Sequence, residues 1–263
     1  MSKVKIFVPV LIAILLIGGY LAFQKNDDSP NLTVATNAEF PPFENYENGE
    51  YVGFDMDLCR EIAAIMGKTA VINNMEFDAT LVAVSTGNTD IAATGLTVNE
   101  KRKKSVDFSD TYYAVGQVLV VRADDNVFTG TTVQELEAQL VGKTIGACSG
   151  YTGQTYIEGD AEWGYPGIKD AKLKLYDGIS TGVIDLQNGK LDVFILDDAV
   201  ARKIANEGAN KGTIRVIDKA LTVENYAIAV KKGNKELLDQ VNAAIKQLKD
   251  AGKIDELIAK WGL

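Results

Sequence analysis

Thr94-Gly-Leu-Thr-Val-Asn-Glu-Lys-Arg-Lys-Lys-Ser-Val-Asp-Phe-Ser-Asp110 follows a short apolar run, Ile91-Ala-Ala-Thr94, that has the character of a strand. The chain then turns through Gly95, where the missing Cβ lets backbone approach a ligand closely. Thr97 adds a hydroxyl and an amide, and Arg102 arrives where a short helix begins. Its planar fork of donors matches a carboxylate in a bidentate way, which neighbouring Lys101 and Lys103 cannot do. Together these groups suit one small anion held in a fixed orientation. Taken by itself, the stretch also fits a strand, a turn and a solvated basic helix start.

The segments upstream supply the context. Leu32-Thr-Val-Ala-Thr36 alternates as a strand and runs into Asn37-Ala-Glu-Phe-Pro-Pro-Phe43, a loop stiffened by two prolines. Phe40 can wall a ligand or fill the core, whereas Phe43 suits the core. Phe54 to Gly67 reads as a helix with Asp55 as its N-cap, Leu58, Ile62 and Ile65 on one face, and a glycine stop. Asp55 and Asp57 fit capping and the helix dipole better than a metal or catalytic pair. Ala70 to Phe77 reads as a second strand, Ala79 to Gly87 as a helix and Ile91 to Thr94 as a third strand. Such a β-α-β-α-β order predicts a parallel sheet with helices on both faces and ligands at the carboxyl ends of its strands. Phe40, Phe77 and the Gly95 to Arg102 loop all fall at those ends.

Downstream, Gln117-Val-Leu-Val-Val-Arg122 carries the chain away, and Thr132 with Glu135 forms a capping box ahead of a helix. A second β/α unit begins at Lys143-Thr-Ile-Gly-Ala-Cys148 and leads into Ser149-Gly-Tyr-Thr-Gly153, a small-residue loop opening a helix at Gln154. Lys172 to Tyr176 and Leu191 to Leu196 are its further strands, the latter delivering Asp197-Asp198 to its carboxyl end. Tyr226 to Val230 is a strand, and Lys235 to Leu248 an amphipathic helix. Ile254 to Trp261 is a final short helix.

Composition narrows the function classes. The chain has 263 residues, a formal charge of -9, no histidine and two cysteines, Cys59 and Cys148. The acidic balance argues against nucleic acid as a partner. The lack of histidine removes the usual general base and the commonest metal ligand, so neither a cofactor nor a metal is expected. At the N-terminus, Lys3 and Lys5 precede an apolar run from Ile6 to Phe23 and a polar exit, Gln24 to Pro30. Residues 1–25 therefore read as an export segment, either a cleaved signal peptide or an uncleaved anchor, with 26–31 as a linker. The remainder is expected outside the cytoplasm.

Four blocks in order, Gly53-Phe-Asp-Met-Asp-Leu-Cys-Arg-Glu-Ile-Ala63, Thr94 to Ser109, Ser149 to Gly153 and Phe194-Ile-Leu-Asp-Asp198, carry a family resemblance. The chain resembles the extracellular solute-binding proteins of ABC transporters for polar amino acids, the group with glutamine-, histidine- and arginine-binding members. The resemblance implies an α/β, two-lobe periplasmic-binding-protein fold of type II, with two hinge strands and the ligand in the interlobe cleft. It places the large lobe at 32–113 and 227–263 and the small lobe at 114–226. It implies that Arg102, Gly95, Thr97 and Thr152 take the α-carboxylate and that Asp197 rather than Asp198 pairs with the α-ammonium. Phe40 and Phe77 would sandwich the side chain, and Asn37 would read its tip. Cys148 departs from the longer side chains usual ahead of the small-lobe loop. The implied partners are an amino acid, arginine or glutamine first, and an ABC permease, with the binding protein itself a monomer. A cyclohexadienyl-type dehydratase and a ligand-sensing protein are the alternatives on the same fold.

Overall fold

The structure is a computed structural model and describes residues 30–263. The expected export segment lies outside the described residues, as does most of the linker. The expected strand at Leu32 forms as β1 (Asn31–Thr36). The proline-stiffened loop is more regular than its sequence suggests. Two residues of it make β2 (Glu39–Phe40), which pairs antiparallel with β3 (Glu44–Glu47), and β4 (Glu50–Val52) completes a three-stranded flap.

Helix α1 (Phe54–Ile65) is capped by Gly53 and not by Asp55. Asp55 lies within the helix and is fully buried, because its carboxylate accepts the Gly95 N–H at 2.9 Å and the Tyr112 hydroxyl at 2.7 Å. Gly53 is required where it is. At φ +134 an added Cβ would lie 2.0 Å from the Phe43 carbonyl oxygen. Asp57 is the solvent-side acid of the pair and binds the Lys260 ammonium at 2.6 Å and the Trp261 indole N–H at 2.9 Å. On the helix face expected to be apolar, Leu58 and Ile62 are buried and Ile65 is exposed.

β5 (Thr69–Asn74) stops earlier than expected, and Phe77 opens α2 (Phe77–Thr86), which Gly87 ends in the left-handed conformation. β6 (Ile91–Ala92) leads through the Gly95 turn to α3 (Glu100–Lys103) and β7 (Val106–Phe108). The first sheet runs β5-β1-β6-β15-β7, with β15 at Ala229–Lys231. β5, β1 and β6 pair parallel. β15 pairs antiparallel with both β6 and β7 and so alone runs against the others, a mixture that the β-α-β-α-β order did not predict.

β8 (Tyr113–Val115) takes the chain to a second sheet through β9 (Gln117–Arg122). There α4 (Val133–Leu140) shows the expected capping box, and β10 (Thr144–Cys148) is followed by α5 (Thr152–Glu158), which starts two residues before Gln154. β11 (Lys172–Tyr176), α6 (Ile179–Gln187), β12 (Val193–Asp197), α7 (Asp198–Ala205) and β13 (Ile214–Ile217) complete a sheet ordered β11-β10-β12-β9-β13. The apolar run of β12 is buried on both faces, which explains its unbroken hydrophobic sequence.

The expected strand from Tyr226 to Val230 is two strands, β14 (Glu224–Tyr226) and β15, since the chain changes sheets between them. β14 pairs antiparallel with β8, and these two segments are the crossings between the sheets. α8 (Lys235–Asp250) and α9 (Lys253–Trp261) close the chain, with Leu237, Val241, Ala244, Ile245 and Leu248 of α8 facing the core as expected. The architecture is therefore the α/β, two-lobed one expected. Phe43, Phe54, Tyr113 and Tyr226 pack edge and face where the first sheet meets the crossing strands, with ring centroids 5.1 to 6.2 Å apart. Aromatic pairs in this range add to area burial.

Gly53→Ala is expected to destabilise the protein by about 2–4 kcal/mol through strain and overpacking. Gly49→Ala, at φ +90 with nothing within 4 Å of the added methyl, should cost about 1–2 kcal/mol. Urea unfolding of both variants checks this, and equal losses would contradict it.

Candidate functional site

The two lobes meet over a small set of side chains. Arg102, 8% exposed, sits on α3, whose N-cap Asn99 accepts the Arg102 N–H at 2.6 Å and so fixes its backbone. Its guanidinium donates to the Thr97 carbonyl at 2.7 Å and, across the cleft, to the Gly150 carbonyl at 3.0 Å. It also lies 5.1 Å from the Phe77 ring centroid. Burial lowers its pKa to about 10, against the pull of Glu224 and Asp197, so it stays a cation at neutral pH.

Gly95 is where backbone must come close. Its φ is +49, and a Cβ there would stand 2.5 Å from the Phe40 ring. Phe40 is 4% exposed and both lines the cleft and joins the core, so the two readings of that ring coincide. The Thr97 hydroxyl donates to Glu224 on β14 at 2.9 Å, and Thr222 donates to the other oxygen of Glu224 at 2.5 Å. Phe40, Phe77, Gly95, Thr97, Arg102, Thr152 and Asp197 line one cavity of about 10 Å³, together with Thr94 and Tyr151. A broader groove of about 380 Å³ lies alongside with Arg102 in their common wall, and its lining residue Glu162 pairs with Lys104 at 2.8 Å. Among the expected site residues only Asn37 lies behind the cavity wall. Its amide donates to the Met75 carbonyl at 3.1 Å, and its oxygen accepts the Tyr151 hydroxyl at 2.9 Å.

Tyr151 went unrecognised in the sequence. Its ring stands 5.4 Å from Phe40 and 4.7 Å from Phe77, closing an aromatic box from the small-lobe side. An aromatic residue inside an otherwise small-residue loop was the available signal. Near Tyr151, burial pushes up the Cys148 thiol, and Asp197, then Glu39 and Asp177, add to it. That end of the cleft is therefore rich in acceptors and negative charge.

Asp197, the last residue of β12, and Asp198, the first of α7, point different ways. Asp198 turns outward to Arg202 at 2.9 Å and caps the Ala199 N–H. Asp197 turns into the cleft, 4% exposed, and accepts the Tyr226 hydroxyl at 2.6 Å. Burial, and then the neighbouring Glu224, raise its pKa to about 7. A buried carboxyl in that condition favours an arriving cation, which restores its ionised form. Arg102 and Asp197 thus put opposite charges on different lobes at one cavity. Among the described residues no group of three or more Cys, Asp or Glu could hold a metal ion.

Known proteins share this chain's sequence pattern and fold. The chain is 30% identical over 244 residues to the ABC transporter glutamine-binding protein GlnH of Bacillus subtilis, covering 92% of this chain and 84% of that protein. It is 29% identical over 229 residues to a probable histidine-binding protein of Neisseria gonorrhoeae, covering 87% and 81%. The crystal structure of the P235GK mutant of ArgBP from T. maritima superposes with a TM-score of 0.78 at 35% identity, covering 95% of this chain and 98% of that one. The pattern of one family matches residues 32–263, and with both lobes and the shared cleft in place the chain belongs to the bacterial extracellular solute-binding proteins, family 3.

Proposed function

We propose that this protein binds a free L-amino acid outside the cytoplasmic membrane and delivers it to the permease of an ABC transporter, acting as a monomer without catalysis. The observation that carries this is the pairing of Arg102 and Asp197 across one cleft. A zwitterion has a carboxylate for the first and an ammonium for the second. Arg102, the amides of Gly95 and Thr97, and the first-turn amide of Thr152 take the carboxylate, which displaces the Gly150 carbonyl from the guanidinium. Asp197 takes the ammonium. The side chain lies among Phe40, Phe77 and Tyr151, with its tip toward Asn37.

The lobes, 32–113 with 227–263 and 114–226, part and close about β8 and β14. Arg102 lies in one lobe, Thr152 and Asp197 in the other. A ligand gripping both stabilises the closed form, and this differential affinity shifts the population. Residues 1–25 serve as signal peptide or anchor. Arginine ranks ahead of glutamine, because ring faces and an acceptor-rich end suit a flat cation. A screen of the twenty amino acids by thermal shift tests the ranking, since a tight ligand raises the melting temperature by mass action.

Arg102→Ala should weaken ligand binding by about 3–5 kcal/mol, a loss of about a hundredfold to several thousandfold by calorimetry. Parental affinity in that variant would contradict the carboxylate role. Proton linkage tests Asp197. Its raised pKa means that the unliganded protein carries a proton there below about pH 7, which the ammonium expels. Affinity should therefore fall as pH drops from 7 toward 5. Calorimetry at pH 6 in buffers of different ionisation enthalpy should show proton release on binding, fading above pH 8. An enthalpy independent of buffer would contradict the assignment.

A further inference from the structure

Beneath the cleft, two more carboxyl groups meet that neither the ligand nor the crossing strands use. Glu44, on β3, and Asp55, on α1, are both fully buried and are hydrogen-bond neighbours of each other. One oxygen of each is otherwise satisfied: Glu44 Oε1 accepts the Thr94 hydroxyl at 3.0 Å, and Asp55 Oδ2 accepts the Gly95 N–H and the Tyr112 hydroxyl. The other oxygen of each, Glu44 Oε2 and Asp55 Oδ1, has no donor among the described residues. Two ionised carboxylates facing each other in this way would be bare acceptors side by side. A single proton between them turns the clash into a short, charge-assisted hydrogen bond.

Among the described residues no cation stands against the pair to substitute for that proton. The other titratable groups facing the pair are Tyr112, Tyr226, Tyr151, Cys59 and Asp197, all neutral or acidic. The Arg60 guanidinium is committed to Asp57 and the Tyr51 carbonyl, and the Arg102 fork to two carbonyls. The pair touches consecutive residues of the cleft floor. Thr94 also accepts the Asn37 N–H at 3.0 Å, so the same cluster links the loop before Phe40 to the turn at Gly95.

We propose that Glu44 and Asp55 hold one proton between them and that this shared proton positions the Thr94–Gly95 turn for ligand binding. Both act as positioning residues, without touching the ligand. Burial raises Glu44 well above the usual carboxylate range, with Asp55 adding to it, and burial raises Asp55 to about 6. The folded protein thus binds protons more tightly than the unfolded chain. The stabilisation is present below the unfolded carboxylate pKa, about 4, and is lost as pH rises through the folded values. When the second proton leaves, the two charges repel and the turn loosens.

The role in ligand binding rests on the reading of the cleft given above, whereas the shared proton does not, so the two parts fail separately. Protein labelled with 13C at the glutamate side-chain carboxyl should show, without ligand, one resonance still in its protonated position at pH 7. Glutamate labelling leaves Asp197 silent. Glu44→Gln should remove that resonance. Calorimetry of the amino acid that gives the largest thermal shift then reads the affinity from pH 6 to 9. Once the pair loses its proton, the parent should lose up to about tenfold per pH unit more than E44Q, whose amide proton cannot leave. Ionisation of the ligand is common to both proteins and cancels. Asp55→Asn, which also supplies a fixed donor, serves if E44Q does not fold. The proposal is overturned if every glutamate carboxyl titrates below about pH 5, or if the parent and the amide variant have parallel affinity profiles.

Discussion

A buried guanidinium with no carboxylate partner of its own is the constraint on which the site depends. Arg102 sits among Glu224, Asp197 and Asp78 yet donates to two backbone carbonyls, one from each lobe. Carbonyls satisfy its hydrogens without neutralising its charge. A buried cation in that state retains a strong preference for an anion, since charge-assisted bonds are roughly twice as strong as neutral ones. The neighbouring acids keep it ionised while their own positions hold them off its fork.

The same economy governs the acidic side. Asp197 is held by Tyr226, and Glu224 by Thr97 and Thr222, so hydroxyl groups on or next to the crossing strands satisfy the carboxylates. Tyr151 to Asn37 and Arg102 to Gly150 are further hydrogen bonds across the cleft. The contacts across the cleft are thus hydrogen bonds of modest net worth, about 1 kcal/mol each, together with the packing of Tyr151 on Phe40 and Phe77. Such a balance is easily tipped by a ligand that grips both lobes. Among the described residues no helix is long and apolar enough to cross a membrane.

Local signals in the sequence were read well and long-range ones poorly. The Thr132–Glu135 capping box, the glycine stop at Gly87 and the apolar face of α8 are encoded within a few residues, and each forms as its sequence predicts. The Gly95 to Arg102 loop was legible because glycine, hydroxyl and fork follow one another within a single turn. Asp55 was misread as a cap because an acid at a helix start looks the same whether it meets solvent or, 40 and 57 residues further on, Gly95 and Tyr112. Glu44, Glu224 and Tyr226 were missed for the same reason, since each takes its function from a partner on another strand. Tyr151 was hidden in a loop read only for its small residues.

The central claim is that one zwitterion is held by its two ends from two lobes. The most direct measurement is calorimetry of three compounds with the same side chain: the amino acid selected by thermal shift, its α-carboxamide and its Nα-acetyl derivative. The account predicts that each blocked form binds at least about a hundredfold more weakly than the free amino acid, because each leaves one buried charge unpaired. Retention of parental affinity by either blocked form would contradict it.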